Sequence, residues 1–189
     1  MNETGRPDPK AALRAEVTAA RRTLSLGEKV ELDAAICARL SEFSEGCDGV
    51  YAYFPIGGEI DLRPFLLDCL SREIPLFLPR CEGANLRFYR LFRPEDARPD
   101  AFGIPAPPAE IPAPAPTAQS LCVLPGLAAG KNGERLGYGG GFYDRFLPGF
   151  PGTSVFAVYD RFFFKTLPVD EKDRPADFIL TEKGVFSRG

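Results

Sequence analysis

Three stretches of the chain are apolar without the polar alternation of a half-exposed strand: Gly49 to Phe54 (GVYAYF), Ser120 to Leu124 (SLCVL) and Thr153 to Tyr159 (TSVFAVY). Such runs suit strands buried on both faces, and strands of that kind belong to a parallel sheet covered by helices. The intervening segments supply the helices. From Lys10 to Leu24, the residues Leu13, Val17, Ala20 and Leu24 recur at helical spacing and form one apolar stripe. Leu32, Ile36, Leu40 and Phe43 do the same over Gly27 to Phe43. Asp61 is a candidate N-cap for a helix through Ser71, with Pro64 in its first turn. Pro75–Pro79, Leu86–Leu91 and Asp177–Leu180 predict further strands, and Phe142–Leu147 a helix. Strands alternating with helices predict an α/β fold. The 44% of apolar residues suffices for its core, and the 189 residues suit a single domain, 1–189. The polar start, 1–9, is expected to fray. The Pro- and Ala-rich segment 99–116 is expected to be an extended connector rather than a packed element.

Composition removes several chemistries. There is no histidine, so neither a Ser-His-Asp nor a Cys-His scheme is open, and any metal must take oxygen ligands, which favours Mg²⁺. Cys37, Cys47, Cys69, Cys81 and Cys122 form no zinc-type or disulfide-framework spacing and are expected to be reduced structural thiols. A net charge of −3 gives no footprint for nucleic acid. No signal peptide or long apolar span is visible, so a cytoplasmic protein without membrane association is expected.

The chemistry concentrates in Leu124 to Leu147 (LPGLAAGKNGERLGYGGGFYDRFL), which begins where a buried strand ends. Gly137, Gly139, Gly140 and Gly141 would let backbone N–H groups approach a phosphate. Neither the Walker A pattern nor the G-x-G-x-x-G fingerprint fits. From the residues alone the segment is either a phosphate-binding loop, with Lys131 and Arg135 at its margin, or a plain flexible turn. Likewise Lys10, Arg14 and Arg21 form a basic edge on the first helix. It either reaches into a cleft or is a solvated flank.

Arg135-Leu136-Gly137-Tyr138-Gly139-Gly140-Gly141-Phe142-Tyr143-Asp144 resembles the signature of the 5-formyltetrahydrofolate cyclo-ligase family, also called methenyltetrahydrofolate synthetases. Lys10-x₃-Arg14, Gly58-Glu59-Ile60-Asp61, Leu78-Pro79-Arg80, Phe102-Gly103-Ile104-Pro105, Leu124-Pro125-Gly126-Leu127 and Val169 to Asp177 are similar to its other blocks, in order. The resemblance implies a three-layer α/β/α sandwich around a mostly parallel sheet, of the kind found in sugar-phosphate isomerases and CoA transferases. It implies ATP as co-substrate, Mg²⁺, and 5-formyltetrahydrofolate as substrate, in a monomer. Lys10, Arg14 and Arg135 would contact ATP phosphates. Leu136, Gly137, Tyr138, Gly139, Gly140, Gly141, Phe142 and Tyr143 would wrap the nucleotide, with Tyr138 to Phe142 also bordering the folate. Phe54 and Glu59 would contact the pterin. Asp144 and Asp173 would hold Mg²⁺, although on their own they would read as a surface carboxylate and a solvated turn residue. Three positions depart from the family pattern. Phe142 stands where Tyr is usual, Ala106-Pro107 follows Gly-Ile-Pro, and Ala129-Gly130 precedes Lys131.

Overall fold

The chain is described by a computed structural model over residues 8–100 and 103–189. It opens with two capped helices. In α1 (Pro9–Arg22), Asp8 accepts from the Lys10 N–H at 2.9 Å, and Pro9 occupies the first turn, where no N–H is needed. Of the start expected to fray, residues 1–7 lie outside the described residues, while Asp8 and Pro9 form this cap. In α2 (Leu26–Phe43), Ser25 and Glu28 cap each other reciprocally. Ile36 and Leu40 on its stripe are fully buried, each worth roughly 1.5–3 kcal/mol of transfer.

The following elements are β1 (Gly49–Tyr51), α3 (Arg63–Ser71), β2 (Leu76–Glu82), β3 (Asn85–Leu91), β4 (Arg98–Pro99), β5 (Pro105–Ala106), β6 (Ser120–Leu124), β7 (Ala128–Gly130), β8 (Arg135–Leu136), α4 (Phe142–Phe146), β9 (Thr153–Ala157), β10 (Phe163–Phe164), β11 (Phe178–Thr181) and β12 (Gly184–Ser187). The main sheet runs β12-β11-β9-β6-β1-β2-β3. From β11 to β2 its strands are parallel, and β12 and β3 are antiparallel edges. Every residue of β1 and β6 is buried, as their unbroken apolar character requires. The helices flank this sheet, so the expected α/β class holds. Phe43 of α2 meets Phe178 of β11 edge-on, 5.2 Å between centroids. Phe146 of α4 lies 4.8 Å from Phe88 of β3 and 5.6 Å from Phe150. Among the described residues no helix is long and apolar enough to cross a membrane.

The topology has one functional consequence. From β1 the chain builds outward through β2 and β3. It then returns to β1's other side at β6 and builds outward again through β9, β11 and β12. The order reverses between β1 and β6, and ligands of open α/β sheets bind outside the carboxyl ends of strands at such a point.

Several expectations need correction. The first strand ends at Tyr51, so Phe54 has already left the sheet. Leu62, not Asp61, is the N-cap of α3. Asp61 instead accepts from the Arg63 N–H at 3.1 Å and pairs with its guanidinium. The helix expected over Phe142–Leu147 is five residues long and passes into a 3₁₀ turn at Leu147–Gly149. The connector is extended and mostly exposed, but it is pinned to the sheet: β4 pairs β5, Ala106 is fully buried, and Arg90 N–H and Ala113 N–H bond to Ile111 O and Phe88 O. It thereby covers the outer edge of β3, which would otherwise present unpaired backbone groups. Within it, residues 101–102 lie outside the described residues. Asp177 precedes the last parallel strand, and its carboxylate holds Ser154 through N and Oγ. The antiparallel β12 and the small sheet β10-β7-β8 were not anticipated.

Candidate active site

A cleft of about 940 Å³ opens where β1 and β6 end. Lys10 and Arg14 of α1, Phe54 and Glu59 beyond β1, the segment from Arg135 to Asp144, and Asp173 all line it. The geometry thus gathers the candidates implied by the family resemblance into one cavity, although they span most of the chain, whereas Lys131 is exposed outside it and Arg21 is buried behind its wall.

The Gly-rich loop is held open by its conformation. Gly139 and Gly141 have φ of 99° and 65°, in the left-handed region where a side chain is strained. The N–H groups of Tyr138, Gly139, Gly140 and Gly141 bond to no acceptor among the described residues. Free amides in such turns form an anion-binding concavity. With α4 only five residues long, these amides rather than a helix dipole must carry that role. Arg14 fastens the loop to α1, its Nε donating to Gly137 O at 2.9 Å. Arg21 fastens the preceding turn, donating to Gly126 O and Leu127 O, each at 2.9 Å. Arg21 is only 8% exposed and lies against the Tyr159 and Phe162 rings. The basic edge of α1 therefore faces inward rather than forming a solvated flank: Lys10 and Arg14 reach the cleft, and Arg21 is buried behind it.

Among the described residues, three cations of the cleft carry carboxylate partners, Arg14 only loosely, with Asp8 at 3.9 Å. Lys10 Nζ lies 2.5 Å from both Asp170 Oδ2 and Asp173 Oδ2. Burial alone would depress the ammonium's pKa. The hydrogen bonds and charges of the two aspartates outweigh it and hold the pKa above the usual lysine range. Arg135, whose side chain is 6% exposed, donates to Asp144 Oδ1 at 3.0 Å and to Pro125 O at 3.2 Å. Asp144 Oδ1 also accepts from the Arg174 N–H at 3.1 Å, which brings the 170–174 turn against α4.

These contacts leave room for Mg²⁺. Among the described residues no group of three or more candidate metal ligands occurs. Asp144 and Asp173 each use one carboxylate oxygen for their contacts and keep the other without a hydrogen-bond partner, on the wall of the same cleft. One or two carboxylates completed by phosphate oxygens and water is the usual Mg²⁺ arrangement. The donor set therefore fits.

Around Glu59 the chemistry differs. The side chain is buried, and its Oε2 accepts from the Ile56 N–H at 2.9 Å. Burial raises its pKa, against the Ile56 bond, the Tyr138 hydroxyl and the Arg21 charge. It forms no ion pair among the described residues, so a protonatable acceptor faces a wall that also includes Phe54 and Tyr53.

Sequence reasoning missed Asp170, Arg145 and Arg174, all on the cleft wall. Asp170 carried a signal, since it stands three residues before Asp173 in the acidic block. Arg145 carried none beyond its place beside Asp144.

Comparison with known proteins agrees with the geometry. The family model described as the 5-formyltetrahydrofolate cyclo-ligase family matches residues 6–182. The chain is 28% identical over 186 residues to the 5-formyltetrahydrofolate cyclo-ligase of Mycolicibacterium smegmatis, covering 94% of this chain and 95% of that protein. It is 28% identical over 146 residues to the enzyme of that name from Escherichia coli K12, covering 72% and 79%. Among solved structures it is similar to Aquifex aeolicus 5,10-methenyltetrahydrofolate synthetase, with a TM-score of 0.84 and 35% identity over 95% of this chain and 93% of that one. The synthetase from Mycoplasma pneumoniae shares the fold, with a TM-score of 0.70 and 23% identity over 93% and 99% of the two chains. Taken with the Gly-rich loop at the sheet's switch point, these matches establish that the chain belongs to the 5-formyltetrahydrofolate cyclo-ligase family.

Proposed function

We propose that this chain closes the formyl group of 5-formyltetrahydrofolate into the methenyl bridge of 5,10-methenyltetrahydrofolate, consuming ATP with Mg²⁺ and releasing ADP and phosphate. The observation that carries the proposal is the division of one cleft. One region has free loop amides beside Lys10, Arg14 and Arg135, and another has a buried carboxylate beside Phe54. The first suits a polyphosphate, the second a flat heterocycle with N–H donors.

The chemistry needs no protein nucleophile. The formyl oxygen attacks the γ-phosphorus of ATP, and ADP leaves. The neighbouring folate nitrogen then attacks the activated formyl carbon, loses its proton, and expels phosphate bearing the former formyl oxygen. Phosphoryl transfer of this kind rests on positioning and charge stabilisation. Lys10, Arg14 and Arg135 bind and orient the phosphates, and the amides of Tyr138 to Gly141 cradle them. Glu59 accepts from pterin N–H groups, and Phe54 and Phe142 supply aromatic faces. Asp144 and Asp173 would hold Mg²⁺, which when bound neutralises phosphate charge.

The test follows methenyl product by absorbance with purified protein, 5-formyltetrahydrofolate, ATP and Mg²⁺. Product that requires ATP at catalytic protein levels is expected. Folate binding without ATP consumption would reduce the chain to a binding module.

A further inference from the structure

Arg145 spans the mouth of the cleft. Its Nε donates to Ala84 O at 2.8 Å, in the turn between β2 and β3, and its Nη2 donates to Gly140 O at 3.0 Å. Its guanidinium carbon also lies 5.1 Å from the centroid of the Phe142 ring. The loop is enclosed by these groups. A Cβ on Gly140 would meet the Phe142 ring at 2.8 Å, and one on Gly141 would meet Arg145 Nη1 at 2.8 Å. A trans peptide directs its N–H opposite its C=O. Fixing Gly140 O on Arg145 therefore also fixes the direction of the Gly141 N–H, which has no acceptor among the described residues. A planar guanidinium fork holds two carbonyls on separate segments in fixed directions while lying over a ring; an ammonium is a point charge on a flexible stem and would fix neither direction as well.

We propose that Arg145 is a positioning residue for the nucleotide, clasping the Gly-rich loop to the β2–β3 hairpin and presetting the loop amides for polyphosphate. The inference rests on the ATP-dependent reading above and adds a residue to it. Arg145 is exposed, and its contacts are on the surface, so its loss should leave the fold intact.

The experiment compares Arg145→Ala and Arg145→Lys with the unsubstituted protein in four measurements. These are KM for each substrate, affinity for tripolyphosphate with Mg²⁺ by calorimetry, the rate of chymotryptic cleavage after Tyr138, and the melting temperature. Arg145→Ala should raise the KM for ATP and weaken tripolyphosphate roughly tenfold, the scale of hydrogen bonds lost from a charged donor. The KM for the folate should rise much less than that for ATP, and the melting temperature should not move. Cleavage after Tyr138 should quicken several-fold, and Lys should restore little. Unchanged tripolyphosphate affinity, or equal rises in both KM values, would overturn the clasp. If the unsubstituted protein shows no ATP-dependent turnover, the functional reading falls by itself. Cleavage and tripolyphosphate affinity would still judge the clasp.

Discussion

Lys10 and Glu59 line the same cleft and are almost equally buried, 9% and 8% exposed, yet their surroundings treat charge in opposite ways. Lys10 is neutralised twice over by Asp170 and Asp173, and nearby Arg135 by Asp144. Glu59 has a backbone N–H and the Tyr138 hydroxyl, and no ion pair among the described residues. A paired cation is already oriented before the ligand arrives, and an anionic phosphate can take over from the carboxylate. An unpaired buried carboxylate is poorly solvated until a ligand brings donors to it. The first region is preorganised for an anion, and the second is held in an unfavourable state that a donor-rich ring would relieve.

The sharpest way to break this comparison is Arg135→Met. The substitution keeps the buried stem, removes the charge and strands Asp144. If the paired region acts through preset cations, kcat/KM should fall by about 10²–10³, the scale for losing one preorganised transition-state donor. Folate affinity in the absence of ATP should be unchanged. A fall below tenfold would mean that Arg135 only buttresses Asp144.

Next in size is Glu59→Gln. It should raise the KM for the folate by roughly 10- to 100-fold, as expected for hydrogen bonds to a charged acceptor, with the KM for ATP unaltered. Stability should move the other way. The folded-state pKa of Glu59 lies above its unfolded value. Its contribution to stability is therefore fully present below the unfolded pKa and is lost as pH rises through the folded one. At neutral pH a carboxyl whose folded pKa is raised costs stability relative to the unfolded chain, and Gln removes that cost. Thermal unfolding should show the variant more stable than the unsubstituted protein at pH 7. The advantage should shrink as pH falls into the ordinary carboxylate range. A variant both less active and less stable at pH 7 would show that Glu59 is a structural residue.

The two regions also differ in how far they could be read from sequence. Buried strands and amphipathic helices were legible because hydrophobic burial leaves a period in the residues, as in β1, β6 and α1. The Gly-rich loop was legible only as glycine spacing. Its positive φ values at Gly139 and Gly141 are local, but its fastening by Arg14 and Arg21 comes from more than a hundred residues away. Pairing of that kind leaves no local trace. Asp173 could be matched to the family pattern, but nothing near it in sequence shows that its carboxylate meets Lys10. The docking of the 99–116 segment on β3 left no trace for a related reason: a Pro- and Ala-rich stretch lacks periodicity whether it crosses solvent or covers a sheet edge.

The smallest effect tests whether the neutralised cations are exchangeable. Asp170 and Asp173 meet the same ammonium, but their side chains are 72% and 27% exposed, and the Asp170 N–H in turn holds Asp173 Oδ2. When phosphate reaches Lys10, the exposed and unsupported Asp170 should yield while Asp173 stays. Asp170→Asn removes a competitor for the phosphate and leaves Asp173 in place. The KM for ATP should therefore drop by about two- to fivefold, the scale of an exposed ion pair. The difference should fade at high salt, where such pairs are screened. A higher KM for ATP would place Asp170 among the groups that support the bound nucleotide, and the cationic region would then be less exchangeable than its geometry suggests.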